Sequence, residues 1–129
     1  MPFIRITLGR EVSPEQRNAL ARRSTDLIVE LLGKRREVTA VLVESAVAAS
    51  WLIGGQPAAA TPCHCEIAIT EGSNTPEEIA RMIAATSALL RETLAGTAEA
   101  SYVVIRELPA GNWGYDGRTQ AARRSGGAL

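Results

Sequence analysis

Histidine and cysteine, on which many metal sites and hydrolases depend, are nearly absent from this sequence. His64 is the only histidine, and Cys63 and Cys65 are the only cysteines. Zinc ordinarily takes four ligands, so this set is too small, and we expect no metal and no other cofactor. Cysteines separated by one residue are too close for an ordinary structural disulfide. We therefore expect free thiols and a cytoplasmic location.

The sequence also lacks net charge and long apolar runs. Its 14 basic and 14 acidic residues cancel, which argues against nucleic acid or an anionic membrane as a partner. No apolar run approaches the roughly 20 residues of a membrane span, and no basic region followed by an apolar stretch marks a signal peptide. With 46% hydrophobic residues, the 129-residue chain predicts one domain with a substantial core.

Two prolines mark the starts of two similar helices. The segments Ser13–Gln16 and Thr75–Glu78 lie 62 residues apart. Each begins with a hydroxyl residue, continues with proline and has Gln or Glu at the third helical position. This is the pattern of a capping box with proline at the first helical position. Apolar residues then recur at helical spacing in both segments, and Gly33 and Gly96 are placed to end the two helices.

Strands are predicted on both sides of each helix. Apolar and polar residues alternate from Ile4 to Leu8 and again from Cys65 to Ile69, while β-forming residues fill 38–43 and 100–105. Each half then continues with a tryptophan and a glycine-containing turn, at Trp51 and Trp113, again 62 residues apart. The chain is therefore one βαβ unit written twice.

This repeat predicts a single α+β domain over residues 1–129, with repeat 1 at about 2–55, a linker at 56–62, repeat 2 at about 63–118 and a flexible or interface-docked tail at 119–129. Right-handed crossovers place both helices on one face of a four-stranded mixed sheet. Two helices cannot cover both faces, so the other face must meet solvent, a ligand or other subunits. Its mixed polarity suits a subunit interface, and we expect a homo-oligomer. The residues predicted on this face are Arg5, Thr7, Ala40, Glu66, Ala68 and Tyr102.

Pro2 directly follows the initiator methionine and opens the first strand. We expect removal of Met1, which leaves Pro2 with a free secondary amine. An unperturbed α-amine has a pKa of roughly 7.7–8.0, so this nitrogen can act as a general base, a general acid or a nucleophile. The fixed φ of proline holds the nitrogen in place. Proline is, however, also tolerated at the first position of a strand for structural reasons alone.

Pro2, the alternating first strand, the repeated unit of about 60 residues and the Gly-Gly turn after Trp51 together resemble the tautomerase superfamily. Within it, the chain is similar to the 4-oxalocrotonate tautomerase group in a fused, two-unit form. The resemblance extends from Pro2 to about Arg118. It implies a fold of the tautomerase and macrophage migration inhibitory factor type. It also implies a homotrimer of two-unit chains, which fits a sheet with one uncovered face.

The resemblance assigns the catalytic role to Pro2, because an N-terminal proline is the catalytic group of this family. The counterpart of Pro2 in the second unit is Cys63, which has no free amine, so one active site per chain is implied. The family also has two arginines that bind substrate carboxylates, and neither is in register here. Other residues stand at these positions in the two units: Val12, Ser73, Ala40 and Tyr102.

Four residues are candidates for substrate binding. Arg10 lies near the first arginine position and is the candidate cation beside the amine, with a solvated loop charge as the alternative. Tyr102 resembles a tyrosine that activates water in the related cis-3-chloroacrylic acid dehalogenases, and Arg106, on the same strand face, could hold a carboxylate. Trp113 is the candidate aromatic wall because the second unit has no catalytic proline, although Trp51 could serve or both could only pack.

Three functions follow as hypotheses. The first is a tautomerase that interconverts the enol and keto forms of a small unsaturated or 2-oxo acid, with Pro2 as the general base. A substrate with two carboxylates would need two cationic sites, and only one of them has a good candidate residue. We therefore expect a substrate that is smaller or carries a single charge. The second is a hydratase or dehalogenase of an unsaturated acid, in which protonated Pro2 is the acid and Tyr102 orients water. The third is a non-catalytic trimeric ligand-binding protein.

Overall fold

The computed structural model describes residues 2–125. In chain order its elements are β1 (Phe3–Leu8), α1 (Pro14–Leu32), β2 (Ala40–Ser45), β3 (Leu52–Ile53), β4 (Gln56–Pro57), β5 (Cys63–Thr70), α2 (Pro76–Thr93), β6 (Tyr102–Leu108), β7 (Gly114–Tyr115), β8 (Arg118–Thr119) and α3 (Gln120–Ser125). Short 3₁₀ turns lie at Arg36–Val38 and Ala48–Ser50. No helix among residues 2–125 has the length and apolar character needed to span a lipid bilayer.

Four strands form one mixed sheet in the order β2-β1-β5-β6. The pairs β1–β2 and β5–β6 are parallel, and each is connected through a helix. The two βαβ units meet where β1 runs antiparallel to β5, with Phe3 opposite Ala68 and Leu8 opposite Cys63. The predicted α+β fold with a four-stranded mixed sheet is therefore confirmed.

Both long helices begin with the predicted capping box. Oγ of Ser13 accepts the Gln16 N–H at 3.1 Å, while the Gln16 side chain accepts the Ser13 N–H at 3.1 Å. Thr75 and Glu78 repeat this exchange at 3.1 and 2.9 Å. These contacts satisfy backbone donors that have no partner within the first helical turn.

The two helices end differently. Gly33 caps α1 as predicted, in the left-handed conformation with a φ of 68°. The prediction that Gly96 caps α2 is wrong in detail, because Leu94 is the cap residue. Ala95 adopts the left-handed conformation with a φ of 56°. Gly96 instead donates its N–H to the Arg91 carbonyl at 2.8 Å, which closes the helix end.

The core lies between the sheet and the two long helices. Alternate residues of the two central strands are buried in it: Ile4, Ile6, Leu8, Cys63, Cys65, Ile67 and Ile69. The helices supply most of the rest: Leu20, Ile28, Leu32, Met82, Leu89 and Leu90. Complete burial of one such aliphatic side chain contributes about 1.5–3 kcal/mol to folding. Both cysteines are free thiols, as predicted.

The opposite face of the sheet carries no helix in the described part of the chain, and we call it the free face. The six residues predicted to lie there all do, since strand alternation turns them away from the buried set. Arg5 pairs with Glu44 at 2.8 Å and Arg106 with Glu66 at 3.2 Å. Apolar side chains also reach the surface here, since Leu42 is 43% exposed. The free face is thus mixed in polarity, as predicted.

The 62-residue offset extends to two small hairpins. Strands β3 and β4 enclose the turn Gly54–Gly55, and β7 and β8 enclose Asp116–Gly117. The four turn residues have φ angles of 61°, 77°, 52° and 75°, which is the geometry of a type I′ turn. The first hairpin extends into the predicted linker, because Gln56–Pro57 forms its second strand.

Three segments differ from the sequence-based expectation. Both parallel outer strands, β2 and β6, begin two residues later than predicted. Before β2, residues Arg36–Val38 form a 3₁₀ turn that Thr39 closes with an N–H bond to the Arg36 carbonyl at 3.1 Å. The tail expected from residue 119 onward contains the short helix α3 up to Ser125, and residues 126–129 lie outside the described residues.

Candidate active site

Pro2 lies where β1 begins and where β5 and β6 end, and we call this the Pro2 end of the sheet. Its ring is fully buried, and its carbonyl accepts the Ala40 N–H at 3.4 Å. Because β1 and β5 are antiparallel, Thr70, the last residue of β5, lies at this same end. The end of β5 and the loop after it are therefore the neighbours of Pro2 from the second repeat.

Lys34 reaches the Pro2 end because α1 runs back along β1. It follows the Gly33 cap, and its Nζ donates a hydrogen bond to Oγ of Ser73 at 2.9 Å. The adjacent Asn74 donates from Nδ2 to the Leu32 carbonyl at 3.1 Å, which fastens the loop after β5 to the end of α1. An ammonium group is thus fixed on Ser73 at the Pro2 end.

Burial and the neighbouring charges shift the pKa of Lys34. Burial lowers the pKa of Lys34; the Glu78 carboxylate opposes that shift, and the positive charge of Arg124 adds to it. Glu78 itself has a lowered pKa because it accepts hydrogen bonds from the Thr75 N–H and from Asn74. The Pro2 end therefore carries two cations and one carboxylate close enough to influence one another.

Trp113 is held at the Pro2 end by its indole N–H. Nε1 donates to Oγ1 of Thr70 at 3.2 Å. A pocket of about 250 Å³ lies beside the ring, with Arg118 on its wall. The remaining lining residues come from the same hairpin region: Gly111, Asn112, Gly114, Gly117 and Thr119.

Helix α3 supports this hairpin. The Gln120 N–H donates to the Trp113 carbonyl at 2.9 Å, and the Ala121 N–H donates to the Ala110 carbonyl at 2.9 Å. Arg123 lies over the ring of Tyr115 at 3.8 Å and donates to its carbonyl at 3.0 Å. The tail thus supports the loop that carries Trp113.

Arg10 does not lie at the Pro2 end of its own chain. It follows β1, and the six residues of that strand separate it from Pro2 by about 20 Å. Its Nε donates to Oγ1 of Thr61 at 3.0 Å, and its Nη2 donates to the Leu94 carbonyl at 3.1 Å. Within one chain, the Pro2 end therefore includes the cation of Lys34 but not that of Arg10.

Tyr102 and Arg106 lie on the free face, as their spacing predicts. Tyr102 opposes His64 and is 62% exposed. It is separated from the Pro2 end by about 20 Å along β6. Arg106 opposes Ala68, nearer to Pro2, but it points to the face opposite the buried Pro2 ring and pairs with Glu66. The structure does not bring these two side chains together with Pro2 within one chain.

Cys63 and Trp51 lie at the opposite end of the sheet, where β1 ends and β5 begins, and we call this the Cys63 end. Burial raises the pKa of the Cys63 thiol to about 11, despite the opposing effects of a Ser101 hydrogen bond and the Arg10 charge. Burial likewise raises the pKa of Cys65 to about 12. Neither thiol is ionised near neutral pH, so neither is a ready nucleophile.

Sequence reasoning missed Lys34 and Thr70. Lys34 follows a helix cap, where a lysine usually faces solvent, and its partner Ser73 is 39 residues away. Thr70 ends a buried strand and has no motif of its own. One signal was available, since the resemblance itself directs attention to Ser73, and a search for a cation near that residue would have found Lys34.

Sequence comparison connects both repeats to one family. A model of the family described as Tautomerase enzyme matches the chain twice, over residues 2–60 and 64–123. A relative from Dickeya dadantii (strain 3937), described as probable tautomerase K2, is 35% identical over 57 residues, which are 43% of this chain and 85% of that relative. That relative therefore corresponds in length to about one repeat.

Solved structures share the fold over nearly the whole chain. Pt0534 inactivated by 2-oxo-3-pentynoate has a TM-score of 0.84 at 24% identity, with 93% of this chain and 97% of that chain covered. A fused 4-OT symmetric trimer also has a TM-score of 0.84, at 20% identity and the same coverage. A macrophage migration inhibitory factor-like protein from Entamoeba histolytica has a TM-score of 0.77 at 22% identity, with 92% and 97% covered. At these identities the likeness concerns the fold alone.

Proposed function

This chain belongs to the tautomerase enzyme family, in its fused two-unit form, and from that premise we propose that it is an isomerase. It interconverts the enol and keto forms of a small unsaturated or 2-oxo acid, with the Pro2 amine as general base once Met1 is removed. One observation carries the proposal: a cation and an aromatic ring are both fixed at the Pro2 end, by the Lys34–Ser73 and Trp113–Thr70 hydrogen bonds.

The proposed reaction moves one proton and consumes nothing else. The lone pair of the Pro2 nitrogen takes the proton of the enol hydroxyl, and the oxygen electrons form the carbonyl π bond. The electron pair of the former C=C bond then takes the proton from the protonated Pro2 amine, which forms a new C–H bond. In a conjugated dienol the proton returns two carbons farther along the chain. The amine ends neutral, so each turnover restores the base.

The amine must be neutral at the working pH for this role. Two features of the Pro2 end favour the neutral form. The ring is buried, and burial disfavours the charged form of an amine. The positive charge of Lys34, held on Ser73, acts in the same direction, because like charges disfavour one another.

The same lysine supplies the attraction for a substrate carboxylate. Its ammonium is held by a neutral hydroxyl, so donors remain for an anion. Arg118 stands on the wall of the 250 Å³ pocket beside Trp113. This volume is below the usual range for ligand pockets, about 300–1,000 Å³, which favours a small substrate. We infer a monocarboxylate whose planar unsaturated part stacks on Trp113.

We further propose that the enzyme is a homotrimer. The structural neighbours include fused 4-OT proteins described as trimers. The free face supplies the surface, since it combines exposed Leu42 with the ion pairs Arg5–Glu44 and Arg106–Glu66. A sheet with one uncovered, partly apolar face is stabilised by packing against other copies.

The hydratase or dehalogenase alternative needs Tyr102 next to Pro2. Within one chain these residues occupy opposite ends of the sheet, so the tyrosine would have to come from a neighbouring subunit. No contact of Tyr102 in the described residues ties it to the Pro2 end, whereas Lys34 and Trp113 both have such a contact. Tautomerisation is therefore the function that these contacts favour.

A direct assay separates the three hypotheses. Purified protein is tested for ketonisation of phenylenolpyruvate and of a 2-hydroxymuconate, and for halide release from a 3-haloacrylate. We expect ketonisation, with the monocarboxylate as the better substrate, and its loss in Pro2→Ala. Halide release without ketonisation would indicate the second hypothesis. No activity on any of them, with intact fold and a free Pro2 amine, would favour a ligand-binding protein.

A further inference from the structure

The Cys63 end of the sheet repeats the layout of the Pro2 end without its catalytic group. The hairpin of β3 and β4 lies there, as the hairpin of β7 and β8 lies at the Pro2 end. An open cavity of about 460 Å³ borders this hairpin, larger than the pocket beside Trp113. Its wall is mostly apolar: Gly9, Ala48, Ala49, 57–60, Thr61 and Pro62.

A cation with neutral partners is in contact with the lining of this cavity. Arg10 is half-buried, and it adjoins the lining residue Gly9 and is bonded to the lining residue Thr61. Both of its hydrogen bonds go to uncharged oxygens, Oγ1 of Thr61 and the Leu94 carbonyl. None of the ion pairs among residues 2–125 includes Arg10.

The Arg10 guanidinium has free N–H donors that can bind an anion. A guanidinium has five N–H donors, of which these contacts use two. Burial of a charge without a counter-charge is costly, and a bound anion relieves that cost. Arginine binds a carboxylate with two parallel hydrogen bonds, and such charge-assisted pairs are among the strongest in proteins. The Thr61 and Leu94 bonds hold the planar group in place beforehand, so little mobility is lost on binding.

Cys63 makes this end unable to perform the chemistry proposed for Pro2. Its nitrogen is part of a peptide bond, and its N–H already donates to Oγ of Ser101 at 3.0 Å. Its thiol is buried and protonated near neutral pH. An anion that binds here meets a cation and an apolar wall but no base.

We propose that the Cys63 end is a second, non-catalytic binding site for a small carboxylate with a short apolar tail. The carboxylate pairs with the Arg10 guanidinium, and the tail lies against Ala48, Ala49 and Pro62. Substrate-like acids fit this description, so the two ends of one sheet bind related molecules with different outcomes. This proposal does not rest on the activity of Pro2.

Chemical-shift mapping tests the proposal with 2-oxobutyrate as the probe. The ¹⁵N-labelled full chain is titrated to about 10 mM, which is tenfold above a millimolar Kd. We expect saturable shifts of the Gly9, Thr61, Cys63 and Ser101 amide signals. In Arg10→Gln we expect at least tenfold weaker binding, whereas Arg17→Gln, on the exposed side of α1, serves as the control and binds normally.

A second variant guards against misfolding of Arg10→Gln. Ala49 is exposed on the cavity wall, so Ala49→Trp fills the cavity without touching the core, and we expect it to abolish the same shifts. Pro2→Ala must leave them unchanged, which separates this site from the proposed active site. Absence of shifts at Gly9, Thr61 and Cys63, or equal shifts in Arg10→Gln, would overturn the proposal.

Discussion

The indole N–H of Trp113 donates to Oγ1 of Thr70 at 3.2 Å, across 43 residues of sequence. Thr70 ends the strand that lies antiparallel to the one that Pro2 begins. The bond therefore holds the hairpin of the second repeat at the end of the sheet where the first repeat has its proline. The duplicated unit thus divides the proposed active site, with the amine from one copy and the aromatic wall from the other.

Trp113→Phe removes this bond but keeps an aromatic ring. One hydrogen bond contributes about 0.5–1.5 kcal/mol, so we expect kcat/KM for ketonisation to fall about two- to tenfold. Trp51→Phe is the matched control, since it makes the same change at the Cys63 end, and we expect unchanged kinetics. Steady-state assays of both variants check this, and an equal loss in both would point to a general packing effect.

Gly114 and Gly111 line the same pocket but differ in the space around them. A Cβ on Gly114 would collide with the Arg118 carbonyl of the paired strand, while nothing lies within 4 Å of a Cβ on Gly111. We expect Gly114→Ala to displace the hairpin and reduce kcat/KM at least tenfold, and Gly111→Ala to remain active. Activity assays together with the Trp113 fluorescence spectrum report both effects. A fully active Gly114→Ala would mean that the hairpin does not shape the site.

Lys34→Met removes the cation proposed to bind the substrate carboxylate. A hydrogen bond to a charged group contributes about 1.5–3 kcal/mol, so we expect KM to rise about tenfold or more. Lys34→Arg should preserve most of the binding. Arg35→Met is the control, because Arg35 is exposed and its side chain contacts Glu37 only two residues away.

The same variant has a pH signature that a structural role would not produce. In the proposed site, the positive charge of Lys34 lowers the pKa of the Pro2 amine, because it disfavours a second positive charge nearby. Its removal raises that pKa, so the acidic limb of the kcat/KM profile should move to higher pH in Lys34→Met. An unmoved limb with a raised KM would restrict Lys34 to substrate binding.

The buried thiols predict a loss of stability in alkali. Burial raises the pKa of Cys63 to about 11 and that of Cys65 to about 12, whereas an unfolded thiol has a pKa of about 8.5. Below the unfolded value both states keep the protons, and the stabilisation is fully present. Above it the unfolded state loses protons first, so the free energy of unfolding falls as pH rises toward the folded pKa values.

Urea unfolding between about pH 7 and pH 10.5 measures this effect. The free energy of unfolding can fall by at most about 1.4 kcal/mol per pH unit for each thiol. We expect a smaller slope because local relaxation of the folded chain lets water reach an ionised thiol. The double variant Cys63→Ala/Cys65→Ala controls for the other titrating groups and should show a flatter profile. Parallel profiles in the two proteins would mean that the thiols ionise equally in both states.

Much of the fold could be predicted from the sequence because both copies of the unit carry the same local signals. The capping boxes at Ser13 and Thr75 define the helix starts, and strand alternation separates the buried face from the free face. The offset between Trp51 and Trp113 even anticipates the paired hairpins. These features depend on short-range chemistry, which is visible in a single sequence.

The parts that the sequence did not predict depend on long-range contacts. Strand β2 begins at Ala40, whose N–H donates to the Pro2 carbonyl and so fixes where pairing with β1 starts. The β-propensity of Val38 does not predict that starting point. In the sequence, Arg10 is the predicted cation because it lies near a position that the resemblance assigns to an arginine. Arg10 instead lies beyond the far end of β1, away from Pro2. The antiparallel pairing of β1 and β5 brings Ser73 to the Pro2 end, where it contacts Lys34.

Covalent labelling of the Pro2 nitrogen tests the central claim most directly. The protein is incubated with 2-oxo-3-pentynoate, the inactivator found with a protein of the same fold, and intact mass and peptide mapping locate the adduct. We expect a chain without Met1, one adduct per chain on Pro2 and a proportional loss of ketonisation. Retention of Met1, an adduct only on Cys63 or Cys65, or full activity of the labelled protein would contradict the account.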